Sequence, residues 1–192
     1  MHLIPLKERD LPPEMEEISR LTEERAKDFF LSKQLYCSEA VLVTLNHGLG
    51  GGMTDDLAIR ISSTLPEGLA GSGCLCGALG GAVLALGLFL GRDWPGSQRD
   101  SHHALVGTRE LHDLFVKRFG ATCCRVLSKE VKHLPKQHFE QCAGLTGAAA
   151  AFATEIVLRE RPRIIRQVDY AFLNKRESKM GSLVRKAVNF MI

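Results

Sequence analysis

Residues 68–91 read GLAGSGCLCGALGGAVLALGLFLG and contain no charged side chain. The run is long enough to cross a bilayer, and Gly73-x-x-x-Gly77 and Gly77-x-x-x-Gly81 repeat a spacing seen where membrane helices touch. Its first third, however, has the glycine, serine and cysteine content of a loop. The flanks carry neither a cationic side nor an aromatic belt. The stretch therefore predicts a loop followed by a buried core helix over about 75–90, and no membrane span is expected. A second run of small residues, 143–153, includes Ala148-Ala149-Ala150-Ala151. Small side chains let helix backbones come close, so the two runs predict a glycine/alanine-rich helix pair at the centre of the molecule. That pairing would also bring Cys76 towards Cys142.

Outward from this centre the chain reads as helical nearly throughout. Apolar spacing of 3.6 predicts a helix over 13–31 with Met15, Ile18, Leu21 and Phe29 or Phe30 inward. Tyr36-Cys37-Ser38-Glu39 starts a second helix to about 46, with Ser38 as cap. Thr54-Asp55-Asp56 caps a third over 57–65, and 66–73 reads as a loop. Helices are expected over 98–119, with Gly120 as stop, and over 123–128. Pro135 precedes one that contains 143–160, and two more cover 162–173 and 179–190. No run alternates with period two. The fold class expected is all-α, a single compact multi-helix bundle over 1–192. Within it, 1–12 is a loose N-terminus, 13–161 a four-cysteine core and 162–192 a basic helical extension.

Bulk properties narrow the function. The 192 residues carry a net charge of +3, too little to indicate nucleic acid. From Arg159 onward there are nine basic and three acidic residues, which reads as a solvated face or a docking surface for an acidic partner. Ile164, Ile165, Val168, Phe172, Leu183, Val184, Val188 and Phe190 either build a homodimer interface or cover the chain's own bundle. MHLIPLKERD shows no signal peptide, so a cytoplasmic location with reduced thiols is expected.

In a reducing compartment, six cysteines point to metal binding or catalysis rather than to a disulfide scaffold. They are Cys37, Cys74, Cys76, Cys123, Cys124 and Cys142. Each is expected near a helix start, where the dipole lowers a thiol's pKa and favours the thiolate. No C-x-x-C occurs, so the thioredoxin motif and the zinc knuckle are absent. No C-x-x-C-H occurs, so covalent haem is not expected. Residues two apart point to opposite sides of a helix, and adjacent ones diverge by about 100°. Cys74/Cys76 and Cys123/Cys124 therefore each supply one principal site residue and one neighbour.

Four of these cysteines carry a resemblance. Cys37 lies in Tyr-Cys-Ser-Glu-Ala-Val-Leu, Cys76 opens Cys-Gly-Ala-Leu-Gly-Gly, Cys124 follows Phe119-Gly120 and precedes Arg125, and Cys142 completes the series. Over about 29–161 the chain resembles the C-GCAxxG-C-C family, named for four cysteines and a CGAxxG motif. The resemblance implies a small helical bacterial or archaeal protein with a suspected redox role. Cys74, Cys123 and the segment after Pro162 fall outside the pattern. Split-Soret cytochromes are similar in this region, but the motif that attaches their haem is missing here.

Three functions follow as expectations. In the first, Cys37, Cys76, Cys124 and Cys142 bind a thiolate-held metal, foremost an iron–sulfur cluster, and exchange electrons with a redox protein partner. Cys76 and Cys124 are the reactive pair, and Cys74 and Cys123 are further candidate ligands. In the second, Cys76 attacks disulfides without metal, and Cys74, Cys123, Cys124 or Cys142 resolves the product. In the third, the cysteines hold structural zinc or are core residues of an interaction protein. Glu39 near Cys37 is a candidate proton carrier, and Arg125 a candidate cation for Cys124. His102, His103 and His112 lack ligand spacing and read as surface or core residues, and His47 reads as a partner of a helix C-terminus. Residues 48–52 read as a turn.

Overall fold

A computed structural model describes residues 11–177. Its elements are α1 (Pro13–Leu31), α2 (Cys37–Gly48), α3 (Asp55–Ser62), the single turn α4 (Pro66–Leu69), α5 (Gly77–Leu90) and α6 (Gln98–Phe119). They continue with α7 (Cys124–Leu127), α8 (Pro135–Glu160), a 3-10 helix (Pro162–Gln167) and α9 (Tyr170–Asn174). No strand occurs among the described residues, and the fold is all-α. The predicted helix over 179–190, and with it Leu183, Val184, Val188 and Phe190, lies outside the described residues, as do residues 1–10.

The central helix is buried on nearly every side, as its uniform apolarity requires. Ala78, Leu79, Ala82, Ala85, Leu86 and Leu90 of α5 join one hydrophobic core with Ala40–Val43 and Leu45 of α2 and Ala149, Ala150 and Ala153 of α8. Each fully buried leucine or isoleucine there contributes about 1.5–3 kcal/mol relative to exposure. The glycines have a different neighbour from the one expected. A Cβ on Gly81 would fall 2.4 Å from the carbonyl oxygen of Ser38, and one on Gly77 would fall 2.6 Å from Cys37 Sγ. The glycine stripe thus serves α2. Gly147 of α8 faces Lys27 and Glu23 of α1. α5 and α8 touch, but α5 packs chiefly on α2 and α8 chiefly on α1. Small residues on several sides permit several close approaches, and spacing alone does not choose among them. By length and composition α8 could cross a membrane, but 72% of its apolar window is buried inside the protein.

Local chemistry moves several boundaries. α2 starts at Cys37 with Tyr36 as cap, because Glu39 Oε2 accepts the Tyr36 N–H at 2.8 Å. Ser38 does not cap: its hydroxyl donates to the Ser62 carbonyl at 2.8 Å and ties α2 to α3. α5 starts two residues later than the composition suggests, because the Cys76 N–H donates to the Thr122 carbonyl at 2.7 Å. The predicted helix over 162–173 is broken at Val168, which is extended. Asp169 caps α9 by accepting the Phe172 N–H at 2.9 Å, and its own N–H donates to Gly48 at 2.9 Å.

The C-terminal extension folds back onto the bundle. Ile164, Ile165, Val168 and Phe172 pack against the chain's own core, and Leu173 is fully buried against Gly48. Arg25 of α1 holds the end in place. Its buried guanidinium pairs with Asp28 at 3.2 Å and Glu177 at 3.0 Å, donates to the Lys175 carbonyl, and lies over the rings of Phe29 and Phe172.

Candidate functional site

Four elements each bring one cysteine to one cavity of about 810 Å³. Cys37 is the first residue of α2, Cys76 caps α5, and Cys124 is the first residue of α7. Cys142 departs from the expectation that every cysteine lies at a helix start. It sits about two turns into α8 and reaches the cavity from the side of that helix. Cys76 is buried, and Cys37, Cys124 and Cys142 are half-buried. The walls are largely apolar. Phe30 stacks on Phe139 with centroids 4.8 Å apart, and Leu35, Leu127 and Leu145 complete them. Lys33, Glu67 and Lys132 supply the charge, and His138 also lines the space, its Nε2 buried without a hydrogen-bond partner.

Cys74 and Cys123 do not line this cavity. Their sulfurs are 3.2 Å apart, and Cys74 is exposed. The segments that carry them are tied together. The Arg125 N–H donates to the Gly73 carbonyl at 3.1 Å, and Arg125 Nη2 donates to the Ser72 carbonyl at 3.1 Å.

Burial outweighs the helix termini in the electrostatics of the four thiols. Cys37 is pushed up to about 12 by burial first and by Cys76 and Cys142 next, against the backbone amides of Ser38 and Glu67. Cys142 is likewise pushed up to about 12 by burial, with Cys124, Cys76 and Glu67 adding to it. Burial raises Cys76 despite the amides of Leu79 and Ala78. It raises Cys124 too, with Glu67 adding and Lys132 opposing. At these four thiols burial outweighs the depression expected from helix termini, and the net shift is upward.

Other expected site residues lie elsewhere. Arg125 faces the Cys74 side: Cys123 raises the Cys74 thiol pKa, and Arg125 opposes that rise. Glu39 is engaged in the cap of α2. His103 pairs with Glu160 at 3.1 Å, His112 with Asp113 at 2.8 Å, and His47 with Asp55 at 3.1 Å while stacking on Phe172. None of them, nor His102, lines the cavity. Sequence reasoning missed Glu67, Lys132, His138 and Phe139. Nothing in the local pattern marks them, because only the folding of α8, the turn at 66–69 and the turn before α8 past the cysteines brings them in.

The donor set suits a thiophilic group, since four thiols line one largely apolar space. Among the described residues no three His, Cys, Asp or Glu side chains are close enough to share a single ion. The orphaned His138 Nε2 is one further polar atom on the wall.

Residues 35–156, well over half of the chain, match the family described as "Putative redox-active protein (C_GCAxxG_C_C)". The chain belongs to this family. The four cysteines that carry the family resemblance are the four that line the cavity, whereas Cys74 and Cys123 are not. No curated protein and no solved structure matches the chain.

Proposed function

We propose that the chain is an electron-transfer protein in which Cys37, Cys76, Cys124 and Cys142 hold an iron–sulfur cluster or another thiolate-bound metal. The observation that carries this reading is the arrival of four cysteines from four separate elements at one cavity of about 810 Å³. A single buried cysteine is ordinarily a small core residue, but that does not account for four lining one space. When bound, such a cluster supplies a one-electron couple.

The chain's own residues have separable roles. The four thiolates bind, and the wall of Phe30, Leu35, Phe139 and Leu145 keeps water away. The amides of Ala78 and Leu79 donate to Cys76, and those of Ser38 and Glu67 to Cys37. Such hydrogen bonds to sulfur tune a metal–thiolate couple. Cys76 and Cys124 sit on the two segments that reach the surface at Cys74 and Arg125. On this reading electrons pass to a redox protein partner on that side. On this reading the site needs reduced thiols, which a cytoplasmic location would supply.

The test is anaerobic purification followed by iron and acid-labile sulfide assays and a visible spectrum. Iron and sulfide together with absorbance that bleaches on reduction are expected. Colourless protein with stoichiometric zinc, which has no redox couple, or with no metal, would overturn the electron-transfer reading.

A further inference from the structure

Cys74 and Cys123 lie outside both the cavity and the family's four-cysteine pattern, and the proposed electron transfer leaves them unused. Their sulfurs stand 3.2 Å apart although the residues are 49 positions apart in sequence. That is roughly 1.2 Å longer than a disulfide bond of about 2.0 Å. The backbone holds the pair in register: Cys76 N–H to Thr122 O, Arg125 N–H to Gly73 O and the Arg125 side chain to Ser72 O flank the two thiols. Gly73 permits this closeness, since a Cβ there would fall 2.9 Å from Arg125 Cβ. Bond formation therefore requires little rearrangement, and the exposure of Cys74 gives a soluble reagent access.

We propose that Cys74 and Cys123 form a second redox site, a dithiol/disulfide couple that exchanges with low-molecular-weight disulfides. One protein thiolate attacks a sulfur of RS–SR. That bond breaks, a mixed disulfide forms, and RS⁻ leaves and takes up a proton. The other protein thiolate attacks the protein sulfur of the mixed disulfide, which closes Cys74–Cys123 and releases a second RS⁻ that is also protonated. The protein gives up two electrons and two protons, and the small disulfide becomes two RSH. Exposed disulfides are the readily exchanged kind. The inference does not depend on what the four-cysteine cavity holds.

The test equilibrates the full chain anaerobically across graded ratios of oxidised to reduced glutathione, blocks free thiols with iodoacetamide, and maps disulfides by peptide fragmentation that separates Cys74 from Cys76 and Cys123 from Cys124. A reversible loss of two thiols per chain is expected, mapped to Cys74–Cys123, with the other four cysteines unchanged. In Cys74→Ser and in Cys123→Ser the cross-link disappears and the remaining thiol carries glutathione. The inference is overturned if wild-type protein carries separate glutathiones on both cysteines, if both stay reduced across the range, or if the disulfide maps to another pair. Iron content measured on the same samples reports on the proposed cluster independently.

Discussion

Replacing Gly81 with alanine probes the contact on which the fold turns. The new Cβ would fall 2.4 Å from Ser38 O and 2.9 Å from Ser38 Cα, and both are backbone atoms of the buried helix α2. Overpacking a core costs roughly 1–3 kcal/mol, and a clash with backbone belongs at the upper end because no side chain can swing aside. Alanine regains about 1 kcal/mol of helix propensity over glycine. The net expectation is a loss of about 2 kcal/mol, roughly a 30-fold shift in the folding equilibrium. For a chain of this size the Tm should fall by roughly 4–8 °C. Gly87→Ala in the same helix is the matched control: the site is exposed and nothing lies within 4 Å of its added Cβ. There the propensity gain acts alone and should stabilise by about 0.5–1 kcal/mol. Urea unfolding followed by circular dichroism reads both variants, provided the slope m is unchanged. A Gly81→Ala midpoint at or above that of wild type would refute the close approach of α2 and α5.

Three further outcomes are expected. Serine at any one of Cys37, Cys76, Cys124 or Cys142 should lower the iron content of anaerobically prepared protein, whereas Cys74→Ser and Cys123→Ser should leave it unchanged; equal loss in all six variants would contradict the assignment of the site. Arg25→Ala should cost about 3 kcal/mol in urea unfolding, because it removes the buried cation that pairs with Glu177 and Asp28 and covers the Phe29 ring, and a cost below about 1 kcal/mol would show that the pairing matters little. Burial works to raise the pKa of Glu177, but hydrogen bonds from Gln34 and Arg25 outweigh it, and the net shift is downward. A depressed carboxyl contributes stability above its unfolded pKa of about 4.3 and loses it as pH falls through the lower folded value. Unfolding free energy should therefore decline with acid below roughly pH 4.3, and Glu177→Gln should show a shallower decline in the same titration.

The all-α class, the limits of α1 and α6 and the grouping of Cys37, Cys76, Cys124 and Cys142, which line one cavity, could be read from the sequence alone. Periodicity, prolines at helix starts and the glycine that stops α6 are local signals, and the cysteines stand in a recognisable order with CGAxxG between them. Tertiary structure decided what depends on which surfaces meet. It set the Gly77/Gly81 stripe against α2 instead of α8, and broke the segment after Pro162 so that Asp169 could cap α9 beside Gly48. It also gave Cys142 a place on the side of α8 and turned the expected low thiol pKa values into raised ones. A helix terminus is written in the local sequence, whereas desolvation comes from residues far away in the chain, and here desolvation is the larger effect. The same holds for Cys74 and Cys123: the sequence makes them neighbours of site residues, and only the backbone ties between 72–76 and 122–125 bring their sulfurs together.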